Sequence, residues 1–341
     1  MIKKVVGVTL ALAMLAALPL SAAAQLRSKR ETETYTKEHY CLGVQAMNAC
    51  NWKAAAYHFG TVTRNCPELD YGQDAFYFLG ISFFYLEELE CANNAFNQYL
   101  TCQNNPEYFN EAIEYKFRIG QLLASGYKVR VLGTRSLPKW SEGLGIALEI
   151  YDEVIAALPN QEIATQALYL KGNVLWRTKD FRGSVEAYQT LIKRFPKHEL
   201  AVESYLHINK VYLCQSFYEF QNPDLIALGE INVRRFRKDF PLEERIQEAE
   251  KDLLNIKEVY ARGLYDIGCF YERKKKPHAA VLYYQNAILQ FPETCTASMA
   301  EARLRCICPS ALDLECYRFA MDELEGLEID LSETANIDFE D

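Results

Sequence analysis

Small, aromatic and proline residues recur along this chain at fixed offsets. Six times a small residue, in most cases glycine, is followed by a small residue 12 positions on, usually an aromatic 16 on, and usually a proline 24 on. Undistorted copies start at Gly43 (Ala55, Phe59, Pro67), Gly80 (Ala92, Phe96, with Pro106 two places late), Gly172 (Ser184, Tyr188, Pro196) and Gly268 (Ala280, Tyr284, Pro292). Two copies are stretched: Gly120 resumes at Ala147, Tyr151 and Pro159, and Asn209 resumes at Gly229, Val233 and Pro241. Two antiparallel helices cross closely where both carry small side chains, so each copy predicts a helical hairpin, with the aromatic filling the gap between hairpins. Proline lacks the N–H that a helix interior needs and restricts the residue before it, so it ends the second helix.

Self-similarity near 34 residues is the signature of tetratricopeptide repeats. The expected fold is therefore all-α, a tetratricopeptide superhelical solenoid of about six hairpins over residues 37–321, with no second globular domain. A chain that is 50% hydrophobic and 24% charged, with 22 Tyr and 18 Phe, supplies the packing residues.

In such a solenoid the first helix of each hairpin lines a concave surface. The positions three before, one after and four after each glycine give a candidate peptide groove of Tyr40, Val44, Met47, Tyr77, Ile81, Phe84, Phe117, Tyr169 and Trp176. Either these aromatics are open to an extended peptide with hydrophobic side chains, or tight curvature buries them as core. The same positions in the last two repeats, such as Lys210 and Glu272, are more polar.

The first 24 residues follow another logic. Lys3 and Lys4, an apolar run from Val5 to Leu18, a break at Pro19 and Ala22-Ala23-Ala24 before Gln25 predict a secretory signal peptide, followed by a flexible leader over 25–36. The apolar run is shorter than the roughly 20 residues a spanning helix needs. No cysteine follows the cleavage position, so lipid attachment is not indicated. In an exported chain the 11 cysteines favour disulfides. Folding about Pro309 would bring Cys316 near Cys306 or Cys308, and Cys306 with Cys316 is the candidate bridge; Cys50 with Cys91 is another pairing that the repeat geometry allows. Cys295, Cys306, Cys308 and Cys316 lack the paired spacing of a zinc site.

The formal charge of −9 comes from the tail, because residues 322–341 hold nine acidic side chains and no basic ones. That segment is expected to be disordered, and nucleic acid is not an expected partner. One basic cluster, Arg234, Arg235, Arg237 and Lys238, with Lys274, Lys275 and Lys276 in the next repeat, is a solvated face or a docking patch for an acidic partner. The chain has no phosphate loop, nucleophile elbow or H-E-x-x-H motif, and its five histidines are spread over different helices. No catalytic residue, metal or cofactor is therefore expected, and a scaffold is. An envelope redox protein using Cys306 and Cys308 is the contrasting reading.

Ala167-Leu-Tyr-Leu-Lys-Gly172, the run from Phe181 to Phe195-Pro196, and Gly263-Leu-Tyr-Asp-Ile-Gly-Cys-Phe-Tyr-Glu-Arg273 with Ala279-Ala280 and Phe291-Pro292-Glu-Thr294 resemble the BamD (YfiO) family. The resemblance covers roughly residues 160–305. It implies a periplasmic scaffold of the machine that assembles β-barrels in the outer membrane. C-terminal repeats would dock on the barrel-forming subunit, N-terminal repeats would take unfolded outer-membrane proteins, and membrane association would come through partners. The insertion from Tyr127 to Gly145 and the acidic tail depart from the family pattern. A periplasmic adaptor for cell division or peptidoglycan synthesis has the same architecture.

Overall fold

A computed structural model describes residues 31–102, 106–130, 138–219 and 222–307. The predicted signal peptide, the acidic tail and Cys316 lie outside the described residues. The chain divides into two compact units with the boundary between Val174 and Leu175. Both units are all-α apart from one small sheet.

The first unit contains α1 (31–48), α2 (Trp52–Asn65), α3 (Asp70–Tyr85), α4 (Leu89–Cys102), α5 (Phe109–Ala124), α6 (Leu144–Ala157) and the larger part of α7 (Glu162–Arg177). The second contains the end of α7, then α8 (Phe181–Arg194), α9 (Glu199–Tyr218), α10 (Asp224–Asp239), α11 (Ile246–Arg273), α12 (Pro277–Gln290) and α13 (Cys295–Ile307). Between α5 and α6 the chain forms β1 (Lys128–Arg130) and β2 (Lys139–Glu142), an antiparallel pair. Helices follow one another as antiparallel hairpins, in which α2 packs on α3, α3 on α4, α5 on α6, α9 on α10 and α11 on α12.

The repeating glycine has a sharper cause than a close helix crossing. A Cβ on Gly43 would lie 2.8 Å from the ring of Phe59, on Gly80 2.7 Å from Phe96, on Gly268 2.6 Å from Tyr284 and on Gly120 3.0 Å from Tyr151. The aromatic therefore lies on the glycine of its own hairpin and also reaches the next one, where Phe59 stacks on Phe78 at 5.4 Å and Phe96 on Tyr115 at 5.5 Å. All four rings are fully buried. Ring and glycine lock the two helices of a hairpin at one register, and the apolar faces then pack onto the next hairpin.

The fifth hairpin solves the same problem with amides. Asn209 stands where the others have glycine, and it is completely buried. Its side chain donates to the Ala249 carbonyl at 2.8 Å, while Asn232 donates to Asn209 Oδ1 at 2.8 Å and to the Tyr205 carbonyl at 2.9 Å. Three helices, α9, α10 and α11, are thereby tied by hydrogen bonds whose loss would leave buried amides unpaired. Phe236, rather than Val233, supplies the ring, stacked on Tyr205 at 5.0 Å.

A second regularity concerns the turns. Cys50, Glu87, Lys179 and Lys275, each seven positions after a motif glycine, have φ between 55 and 64°. In each case the amide of that residue bonds a carbonyl three back and the next amide one five back, as in Cys50 to Met47 at 2.9 Å and Asn51 to Ala46 at 2.8 Å. These bonds close the first helix with a left-handed residue, the conformation that glycine adopts without strain. Asn51 and Asp180 then cap the following helices by accepting from the amides of Ala54 and Gly183.

Gly80→Ala is expected to destabilise the chain by about 1–3 kcal/mol, because Phe96 has no room to yield. Lys275→Gly is expected to stabilise it by about 1 kcal/mol by relieving the left-handed strain. Thermal melting of the two variants beside the parent checks both signs.

Candidate partner-binding surfaces

The groove positions of the first unit divide into two groups. Tyr77, Ile81 and Phe117 are 6, 8 and 6% exposed and belong to the core, the buried one of the two arrangements that the sequence allows, so they do not face a peptide. The cause is aromatic crowding: Tyr77 stacks on Tyr108 at 4.6 Å with rings 6° from parallel, and Phe117 leans on Tyr151. Tyr40, Val44, Met47 and Phe84 are half-buried. The Tyr40 ring meets Phe59, Tyr71 and Phe78 edge-on, and burial pushes its phenol up to about 12. Tyr169 is half-buried in the first unit; Trp176, in the second, is half-buried and T-shaped against His207.

On α10 the side chains of Arg234, Arg235, Arg237 and Lys238 are all exposed, while Val233 and Phe236 take the inner face. Arg237 pairs with Glu250, so part of the basic patch is already neutralised. Lys274, Lys275 and Lys276 are exposed at the α11–α12 turn. Cys306 is exposed, and its expected partner Cys316 lies outside the described residues. Cys50 and Cys91 are both free thiols, so the structure does not join them.

Three arrangements escaped the sequence reading. His39 and His58, read as scattered, meet with Nδ1 atoms 2.9 Å apart and tie α1 to α2. No third ligand joins them, and among the described residues no group of three or more His, Cys, Asp or Glu could hold a metal. Lys116 is 1% exposed, 2.5 Å from Glu153 and bonded to Asn97; burial holds its ammonium below the usual lysine range. The third is the insertion, which folds back as a strap. Arg130 grips Glu88 with both guanidinium nitrogens, its amide donates to Glu90 at 3.0 Å, and Lys139 donates to the Glu87 carbonyl at 2.6 Å. The visible signals were the histidines facing each other across a hairpin turn, and the cluster of cations in the insertion.

Known proteins agree with the hairpin reading. Tetratricopeptide repeat models match residues 166–198, over α7 and α8, and residues 261–294, over α11 and α12. Each unit is an all-α stack of tetratricopeptide repeats. No curated protein matches the chain. Among solved structures, similar ones include a tetratricopeptide-repeat protein from Bacteroides fragilis, 10% identical over 80% of this chain and 98% of that one, with a TM-score of 0.38. Another from Parabacteroides merdae is 11% identical over 78% and 98%, with a TM-score of 0.33. YrrB, described as having an unusual peptide-binding site, is 12% identical over 62% and 90%, with a TM-score of 0.33. Such distant likenesses say nothing about partners. Among the described residues no helix is long and apolar enough to cross a membrane.

His58 and His207 both have a pKa below the usual histidine value, in each case chiefly through burial, with the nearby charge of His39 adding to the effect on His58 and that of Lys210 on His207. A depressed folded pKa leaves stability intact above about pH 6.5 and removes it as pH falls from there through the folded value. Melting temperature is therefore expected to fall between pH 7.5 and 5.5, and to fall less in a His58→Gln/His207→Gln double variant.

Proposed function

We propose that this chain is a non-enzymatic scaffold of the cell envelope, resembling BamD, that assists the assembly of β-barrel proteins in the outer membrane. Tetratricopeptide repeats hold protein partners against rigid helical faces, and this chain presents two such faces of different chemistry. The observation that carries the reading is the contrast between them. Tyr40, Val44, Met47 and Phe84 offer an apolar, partly open surface suited to hydrophobic segments of unfolded chains. The exposed cations Arg234, Arg235 and Lys238 on α10 suit an acidic face of a folded subunit.

The motifs resembling the BamD family lie on α7, α8, α11 and α12, the helices that the repeat models also match. Export to the periplasm follows from the signal-peptide pattern of residues 1–24, and attachment to the membrane is assigned to partners.

Photoreactive residues at Phe84, Trp176 and Arg235, activated in envelope preparations, test this function. The expected result is capture of a barrel-assembly subunit from Arg235 and of nascent outer-membrane proteins from Phe84. Capture of division or cell-wall proteins with no barrel component would replace this role by that of a periplasmic adaptor.

A further inference from the structure

Gly60, like Gly145 in the first turn of α6, is a helical glycine that packing leaves unexplained. Gly60 sits in the middle of α2, where glycine is a poor helix former. A Cβ there would meet a single atom within 4 Å, Leu79 Cδ1 at 3.9 Å. The motif glycines Gly43, Gly80, Gly120 and Gly268 are each held to that size by a ring; Gly60 is held by nothing in its own unit.

Gly60 instead lines a cavity of about 730 Å³ on the first unit. One wall is a helical stripe of α2, running from Lys53 through Ala56, Tyr57 and Gly60 to Arg64, and the floor is Leu79 and Phe83 of α3 with Leu86. Leu79, Phe83 and Leu86 lie on roughly the opposite side of α3 from Tyr77, Ile81 and Phe84, since two residues turn a helix by about 200°. The cavity is therefore a surface separate from the groove considered above. Tyr57, at its edge, is 60% exposed.

Its charge has one sign left open. Glu88, the acidic residue of the lining, is occupied by Arg130 and lies 3.8 Å from Lys139. Lys53 and Arg64 are exposed, and the Arg64 guanidinium donates to the carbonyl of Gly60 at 2.8 Å. The two cations are eleven positions apart on one helix, about 16 Å along its axis. Between them lies the helix backbone, without a side chain at Gly60, beside an apolar floor.

We propose that this cavity is a docking site for an acidic amphipathic helix of a partner protein. A small residue of that helix sits against Gly60, where the missing side chain lets two helix backbones approach. Apolar residues on either side of it cover Leu79, Phe83 and Tyr57. Carboxylates roughly three turns apart answer Lys53 and Arg64.

A phage-displayed library of random 16-residue peptides, selected against the full-length chain, tests the site. The expected consensus has a small residue at its centre, apolar residues at helical spacing and acids ten to twelve positions apart. Affinity of the selected peptides is expected to drop at least tenfold with Gly60→Leu and with Lys53→Glu/Arg64→Glu, and to be unchanged with Lys238→Glu. Gly60→Leu is expected to melt no lower than the parent, so loss of binding does not report unfolding; Gly60→Ala serves the same control with a smaller side chain. An absence of enrichment, a consensus without acids or with alternating extended spacing, or peptides that bind the Gly60→Leu chain within twofold of the parent would each overturn the proposal.

Discussion

Four of the hairpins depend on a ring lying on a missing side chain. Phe59, Phe96, Tyr151 and Tyr284 are buried where Gly43, Gly80, Gly120 and Gly268 make room for them, and a Cβ at any of the four would lie 3.0 Å or less from the ring. That contact fixes how far the two helices of a hairpin slide along each other. Once the slide is fixed, the apolar stripes of successive helices face one another and the core of each unit closes without further instruction. The fifth hairpin shows that the constraint is geometric rather than chemical. There Asn209 and Asn232 hold the register by hydrogen bonds that only one alignment of α9, α10 and α11 satisfies.

A scaffold of this kind separates stability from recognition. Residues that hold the hairpins together are buried aromatics and amides, while those left to meet partners lie on helix faces that the register exposes. Tyr77 and Tyr40 occupy the same repeat position, yet one is core and the other half open, because Tyr108 stacks on the first. The lining of any groove is thus decided by the neighbouring hairpin as much as by the helix that carries it.

That dependence explains how much could be read from the residues alone. The hairpins, their order and the two stretched copies were legible because glycine, aromatic and proline leave distinct marks at fixed offsets. The groove was legible only as a list of positions, since Ile81 and Phe117 look the same on paper whether open or buried. The left-handed turn residues were invisible: Cys50, Glu87, Lys179 and Lys275 share no chemistry, and the turn is held by backbone bonds. Gly126, with φ of 111°, is a left-handed turn that its residue type does mark, and it precedes the insertion. The His39 and His58 contact and the Asn209 network required knowing which helix faces met.

The strap formed by β1 and β2 has a consequence for the order in which the chain is made. In a stack of repeats each hairpin can close as soon as its second helix exists, and folding can follow synthesis from one end. Here the α3–α4 turn is gripped by Arg130, 42 positions downstream of Glu88. During vectorial synthesis the second hairpin has its helices long before it has its clasp. The third hairpin, as it emerges, finishes its predecessor as well as itself.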